Sequence, residues 1–232
     1  MGEIEENLAA VRARIAAAAE RAGRDPATVR LVAVSKRVPA ERLRQAIAAG
    51  QRLFGENYLQ EAQEKIAEFD PAGELAWHFI GHLQSNKAKV AAESFSMVET
   101  VDRLKLATLL DRHAAAAGRI LSVLVQVNVG GERQKSGVTP EQTAELLREM
   151  ARLPALRVAG LMTMPPWSAE AEESRPHFRR LRQLAEELAG RGLLGRHGAV
   201  ELSMGMSGDF EVAVEEGATL VRVGTAIFGP RL

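Results

Sequence analysis

A lysine that closes a short apolar strand is the first side chain in this sequence that could do chemistry. Lys36 follows residues 31–35, an apolar, β-branched run that is too short for a helix, and Pro39 comes soon after it. Such a run is typical of a strand buried on both faces in a parallel sheet covered by helices. Where the strand emerges, partial desolvation favours the neutral amine, which can form a Schiff base. A merely solvated lysine is the alternative interpretation.

Small residues near the C-terminus form a candidate anion site. Residues 203–208 are rich in glycine and serine, include Ser203 and Ser207, and lead into a predicted helix, while Gly224 and Thr225 follow the last predicted strand. Backbone N–H groups without bulky side chains at a helix start can bind phosphate. The two loops therefore predict a phosphate site, and the alternative is that they only make tight turns.

An arginine lies beside this candidate site. Strand alternation places Leu220 and Arg222 on one face of the last predicted strand and the neighbouring valines on the other. An inward-facing arginine needs an acceptor because its guanidinium stays charged. We expect either a structural carboxylate, such as Glu201, or a ligand atom close to the phosphate site.

Other motifs are weaker. His78 and His82 are spaced as HxxxH, but a strand followed by a glycine turn does not align them as a helix would, so we expect no metal site. Residues 205–208 do not satisfy GxGxxG, which leaves a nicotinamide cofactor unsupported. Ser203 and Ser207 lack the nucleophile elbow of a serine hydrolase.

The elements that must position these side chains alternate regularly along the chain. An amphipathic helix covers about residues 4–22, and eight strands alternating with helices follow it. The predicted strands are 31–36, 52–57, 76–80, 95–101, 120–129, 156–162, 199–203 and 219–223. This α/β alternation over residues 1–232 favours one domain, a single (β/α)8 barrel of TIM type with an extra N-terminal helix, over a doubly wound open sheet. Functional residues of such barrels lie just after the strands, on one face.

The composition argues against several function classes. The chain has 30 basic and 30 acidic side chains, well interspersed, so its formal net charge of zero predicts no nucleic-acid partner and no membrane surface. Cysteine is absent, which excludes thiolate catalysis and disulfides. Because no signal peptide or membrane-spanning stretch is evident, we expect a cytoplasmic protein. Because neither a second domain nor a large exposed apolar stripe is evident in the sequence, we expect a monomer.

Five segments of the sequence together resemble a known family. They are residues 33–36, 54–58, 77–87, 202–207 and 222–229. They come in the family's order and cover essentially the whole chain, which is similar to the pyridoxal phosphate homeostasis protein family. The resemblance implies a barrel like the N-terminal domain of alanine racemase, with pyridoxal 5′-phosphate (PLP) held as an aldimine on Lys36.

The resemblance also implies roles for individual side chains. The expected cofactor-binding residues are Lys36, Asn57, Ser203, Ser207, Arg222, Gly224 and Thr225. Both serines and the last two residues would bind the phosphate, Asn57 would line the pocket, and Arg222 would donate to the pyridine nitrogen. Because an arginine cannot donate to a protonated nitrogen, the cofactor would be a weaker electron sink. No catalytic residue and no metal ligand are expected.

The implied function is to carry PLP and regulate its intracellular supply in vitamin B6 homeostasis, with no enzymatic reaction and with transient contact to apo PLP enzymes. The alternative is a PLP-dependent amino-acid racemase, which normally needs a second base opposite Lys36; Tyr58 is the one tyrosine. A third candidate function is a Schiff-base aldolase that acts on a phosphorylated sugar. It would use the same lysine and phosphate site, but it would give Arg222 no role. We also hypothesise that Lys135 accepts the aldehyde transiently during transfer, against the alternative of a solvated loop lysine.

Overall fold

Eight parallel strands close into a barrel in the order in which they occur along the chain. The computed structural model describes residues 2–132 and 136–230. The strands are β1 Arg30–Val34, β2 Leu53–Glu56, β3 Ala76–Phe79, β4 Met97–Val101, β5 Leu121–Gln126, β6 Leu156–Met162, β7 Glu201–Ser203 and β8 Leu220–Val223. Pairing of β1 with β8 completes the ring. The predicted (β/α)8 barrel is therefore confirmed.

Helices alternate with these strands around the outside of the barrel. They are α1 Glu3–Arg21, α2 Ala40–Ala48, α3 Leu59–Phe69, α4 Ala88–Ser94, α5 Leu104–Ala116, α6 Pro140–Met150, α7 Arg175–Gly190, α8 Phe210–Glu215 and α9 Thr225–Phe228. The extra N-terminal helix α1 is present as predicted and packs against α2, α8 and α9. Across residues 2–132 and 136–230, no helix combines the length and the apolar character that crossing a membrane requires.

Local sequence signals explain where several elements begin and end. Thr139 caps α6, because its side chain accepts a hydrogen bond from the N–H of Gln142, and Pro140 occupies the first helical position. The predicted helix over 169–190 instead opens with a 3₁₀ turn, and α7 begins at Arg175, next to Pro176. A proline has no N–H to donate, so it suits the first turn of a helix and not its interior.

The interior of the barrel is divided into an apolar layer and a polar layer. Side chains from five strands pack together inside the ring: Val32, Met97, Leu124, Met162 and Leu220. Further along several strands, the inward positions are occupied by buried polar side chains, including Glu99 on β4 and Arg222 on β8. Because the side chains of a strand alternate between its two faces, Leu220 and Arg222 share the inward face, as predicted.

Candidate functional site

A cavity of about 580 Å³ lies beyond the C-terminal ends of the strands. The residues predicted for the site that line it are Lys36, Asn57, Ser207, Arg222, Gly224 and Thr225. The loop after β6 forms the opposite part of the wall, with Met164, Pro166 and an 84% exposed Trp167. The structure thus brings six of the seven predicted residues together, although they come from two distant regions of the chain, 36–57 and 207–225.

Lys36 lies in the turn that follows β1, two residues after the strand ends. Val34 and Lys36 both line the cavity, which continues the inward alternation of the strand into the turn. The next residue, Arg37, has a φ of 57°, and its N–H donates to Oε1 of Glu61 at 2.5 Å. This left-handed conformation is unfavourable for a residue with a side chain and needs support from its surroundings. The hydrogen bond to the Glu61 carboxylate on α3 provides that support and holds the turn in place.

A buried ion cluster fixes the other side of the same turn. Lys65 on α3 donates to the backbone oxygen of Ser35 at 2.5 Å, to Oε1 of Glu56 at 2.8 Å and to Oε1 of Glu61 at 2.7 Å. Ser35 also donates its hydroxyl to Oε1 of Glu56 at 2.7 Å. Burial raises the pKa of Glu56, and the positive charge of Lys65 opposes that rise. The cluster therefore ties the ends of β1 and β2 to α3 directly behind Lys36.

Asn57 presents an unsatisfied polar atom beside the cavity. Its Oδ1 is buried, and no hydrogen-bond partner is found for it within residues 2–132 and 136–230. The loop after β3 packs closely against the Asn57 backbone, because a Cβ on Gly81 would lie only 2.3 Å from the Asn57 carbonyl oxygen. A buried amide oxygen without a partner is unfavourable unless a ligand or water donates to it.

Gly81→Ala is accordingly expected to destabilise the fold by about 1–3 kcal/mol, since the added methyl group must displace backbone and not a flexible side chain. The free energy of unfolding from urea titration measures this loss. Gly190→Ala is the matched control, because a Cβ at Gly190 meets no atom within 4 Å. Equal stabilities of the two variants would contradict the close packing of the loop against Asn57.

The two loops predicted to bind phosphate are linked to each other. Ser207 Oγ accepts hydrogen bonds from the N–H groups of Gly224, at 3.3 Å, and Ala226, at 3.4 Å. Asp209 accepts a bond from the N–H of Met206 at 2.7 Å. In the described part of the chain, no acceptor is found for the N–H groups of Ser207, Gly208 and Thr225. The loops therefore offer the cavity backbone donors that are held in fixed positions.

Ser203 is the one predicted site residue that the structure places elsewhere. It is fully buried inside the barrel, donates its hydroxyl to Oε2 of Glu99 at 2.5 Å, and accepts a bond from Nη1 of Arg222 at 2.5 Å. It does not line the cavity, so its side chain is placed below the phosphate loops rather than in them. The role of phosphate ligand stays a prediction for Ser203 that this geometry does not favour.

Arg222 has different partners from those expected. The suggested carboxylate, Glu201, is bonded to Arg30 at 2.6 Å and is not the partner of Arg222. The charged neighbour is Glu99, whose Oε2 lies 4.0 Å from Nη1, while Nη2 donates to the carbonyl oxygen of Thr163 at 2.8 Å. Sequence reasoning missed Glu99, whose one visible signal was an acid at an inward position of a predicted strand.

Glu99 is also the hydrogen-bond partner of His78 inside the barrel. The Nδ1 of His78 lies 2.7 Å from Oε1 of Glu99, and both side chains are buried. Burial alone would raise the pKa of Glu99, but the hydrogen bond from His78 and the charge of Arg222 outweigh it and hold that pKa below its usual value. Burial lowers the pKa of Arg222, and the charge of Glu99 opposes this effect.

Three further sequence hypotheses concern residues away from the cavity wall. Tyr58 is 48% exposed, and its ring centre lies 5.5 Å from the guanidinium carbon of Arg37. The imidazole of His82 contacts the hydroxyl of Ser136 at 3.1 Å. Lys135 lies outside the described residues. Within those residues, no cluster of three or more histidine and acidic side chains could hold a metal ion.

Comparison with known proteins places this geometry in a family. The profile described as alanine racemase, N-terminal domain, matches residues 7–231. A Pseudomonas aeruginosa protein named pyridoxal phosphate homeostasis protein is 51% identical over 231 residues, which span 100% of this chain and 97% of the relative. The chain belongs to the pyridoxal phosphate homeostasis protein family.

Other members of the family are similar over their whole length. The pyridoxal phosphate homeostasis protein of Escherichia coli K12 is 47% identical over 234 residues, which span 100% of this chain and 98% of that protein. The solved structure of PipY from Synechococcus elongatus PCC7942 with PLP bound is 40% identical. It superposes with a TM-score of 0.84 and covers 97% of this chain and 100% of its own. The family resemblance seen in the sequence is confirmed.

Proposed function

We propose that this protein binds PLP in the cavity and serves to carry and regulate its intracellular supply. The observation that carries the proposal is that Lys36, Arg222 and the two phosphate loops line one cavity of about 580 Å³. That volume is in the range of small-molecule sites. The solved structure of the relative PipY contains PLP, and the names of the curated relatives concern homeostasis of this cofactor.

The residues of the cavity fit the chemistry of this cofactor. When bound, PLP supplies an aldehyde, a phosphate and an electron-withdrawing pyridine ring. The amine of Lys36 would hold the aldehyde as a Schiff base. The N–H groups of Ser207, Gly208 and Thr225 would hold the phosphate, and Arg222 would donate to an unprotonated ring nitrogen. Asn57 would line the pocket beside the ligand.

A holding function is supported better than racemisation. Racemisation normally needs a base on each face of the cofactor, and Lys36 can supply one of them. Among the described residues, the other titratable groups of the cavity wall are Arg222, which stays charged, and Asp209, which accepts bonds from Met206 and Ser174. Tyr58 does not line the wall. Transient contact with apo PLP enzymes, a cytoplasmic location and a monomeric state stay predictions.

The proposal is tested by adding PLP, recording the visible spectrum, reducing with borohydride and mapping the adduct by peptide mass. We expect a Schiff-base absorption band and a reduced adduct on the peptide that contains Lys36. Absence of the band would overturn the proposal.

The loaded protein is then mixed with an apo PLP enzyme, whose recovery of activity measures transfer. Racemisation of added amino acids would instead favour the racemase.

A further inference from the structure

Four buried side chains form a hydrogen-bonded chain from the middle of the barrel to the wall of the cavity. The chain runs from His78 to Glu99, then to Ser203 and finally to Arg222, with contacts of 2.7, 2.5 and 2.5 Å. Glu99 and Ser203 are completely buried, and Arg222 is only 3% exposed. The four residues come from four different strands, so only the closed barrel assembles them.

Chemistry fixes the direction of the two hydrogen bonds that Ser203 makes. An arginine can only donate, so Ser203 Oγ accepts from Arg222, and the serine proton must then point to Glu99. The other oxygen of Glu99 lies 2.7 Å from Nδ1 of His78, and an ionised carboxylate can only accept the hydrogen bond from that ring nitrogen. Glu99 and Asp209 are the acids whose charges act on Arg222. The positive charge of the buried Arg222 guanidinium is thus neutralised by the Glu99 carboxylate, and the hydroxyl of Ser203 bridges the two groups.

The same contacts fix the orientation of the guanidinium. Nη1 is bonded to Ser203 and Nη2 to the carbonyl oxygen of Thr163, at 2.5 and 2.8 Å. These two bonds hold the planar group against the barrel while Arg222 also borders the cavity. Glu99 is 4.0 Å from Nη1, which is just beyond a direct hydrogen bond. Without the serine hydroxyl, the guanidinium is expected to turn toward Glu99 and away from the cavity.

We propose that Glu99, acting through Ser203, is a positioning residue that aims Arg222 at the pyridine nitrogen of the bound cofactor. This inference rests on the proposed function, because it needs PLP in the cavity. It gives Ser203 a role different from phosphate binding. It also predicts that removing either group affects the ligand at its ring nitrogen and leaves recognition of its phosphate intact.

The test compares three ligands: PLP, 1-deazapyridoxal 5′-phosphate, which has a carbon in place of the ring nitrogen, and pyridoxal, which lacks the phosphate. Their dissociation constants are measured by spectral titration for the wild type, Glu99→Gln and Ser203→Ala. Thr143→Val is the matched control. It also removes a buried hydroxyl, but that hydroxyl lies on α6, outside the four-residue chain, and donates to the backbone oxygen of Thr139. Thermal unfolding without ligand shows which variants are folded.

The wild type and Thr143→Val are expected to prefer PLP over the deaza compound by about tenfold or more, the usual range for a hydrogen bond with a charged donor. In Ser203→Ala and Glu99→Gln, we expect this preference to fall to about threefold or less, with the preference for PLP over pyridoxal unchanged. A general structural defect would weaken all three ligands equally and leave both ratios intact.

Several outcomes would overturn the inference. One is an unchanged ratio of PLP to deaza compound in Ser203→Ala, the milder of the two substitutions. Another is a selective loss of the preference for phosphate, which would make Ser203 a phosphate ligand. Equal affinities of the wild type for PLP and for the deaza compound would show that Arg222 makes no hydrogen bond to the ring nitrogen. A wild type that binds none of the three ligands would instead refute the proposed function itself.

Discussion

Lys36→Ala is expected to retain no PLP that borohydride can fix to the chain, while the barrel stays folded. The substitution removes the amine that lies in the cavity wall, and it leaves the backbone of the turn bonded to Glu61 and Lys65. Among the described residues of the wall, no other lysine can then form a Schiff base with the aldehyde, and the remaining contacts hold the cofactor only non-covalently. The expected result is complete loss of the Schiff-base band and of the reduced adduct.

Lys105→Ala serves as the control for this experiment. Lys105 is exposed on α5, so its removal changes the number of lysines without affecting the cavity. We expect the control to give the adduct in wild-type amount at Lys36. An adduct of equal yield in Lys36→Ala, mapped to another lysine, would show that the covalent site lies elsewhere. Thermal unfolding of both variants confirms that a missing adduct is not the result of misfolding.

Lys65→Met is expected to destabilise the protein by about 3–5 kcal/mol, the usual effect of removing one partner from a buried ion pair. The cause is Glu56, which is completely buried and would lose the ammonium 2.8 Å from its Oε1. Its Oε2 already has no hydrogen-bond partner within the described residues. Urea unfolding measures the loss. The turn that carries Lys36 also loses its bond from Lys65 to Ser35, so slower formation of the PLP adduct should accompany the instability.

The destabilisation should depend on pH. Burial raises the pKa of Glu56 in the folded protein, and the charge of Lys65 opposes the rise. A raised folded pKa gives a contribution to stability that is complete below the unfolded value, about 4.3, and is lost as the pH rises through the folded value. Lys65→Met removes the opposing charge, so its deficit relative to the wild type should be larger at about pH 8 than at about pH 5.

A double variant identifies the cause. Lys65→Met with Glu56→Gln removes both charges, and we expect it to recover a large part of the stability lost in Lys65→Met alone. The recovery should be greatest at the higher pH, where the carboxylate would otherwise be ionised. If the double variant is as unstable as the sum of the two single variants, the two side chains are not energetically coupled, and the ion cluster behind Lys36 would not stabilise the turn as argued.

The order of strands and the face on which residues meet could be predicted from local pattern. The alternation of short apolar runs with helical periodicity indicated eight parallel strands, and residues directly after such strands lie on one face of a barrel. Lys36, Asn57, Ser207 and Gly224 could therefore be expected at one end of the barrel from their positions in the sequence. The inward direction of Arg222 followed from the period of two along β8.

The partners of these residues could not be predicted in the same way. Glu99 and Ser203 bond to each other across 104 positions of the sequence. No local pattern distinguished Glu99 from a structural acid, and the expected partner of Arg222, Glu201, bonds to Arg30 instead. Lys65 lies on a helix among polar neighbours, and only the docking of α3 shows that its ammonium is buried against Glu56.

Periodicity and position after a strand are local properties, so the sequence was sufficient to predict the class of fold and the end of the barrel at which the cavity lies. The family was predicted from the resemblance of five motif segments, which are also local. Which charges face one another became evident only from the folded chain. Burial and the pairing of charges depend on where distant strands bring their side chains when the barrel closes. Ser203 shows the difference most clearly, because its place in the chain suggested a phosphate ligand and its place in the barrel puts it beneath Arg222.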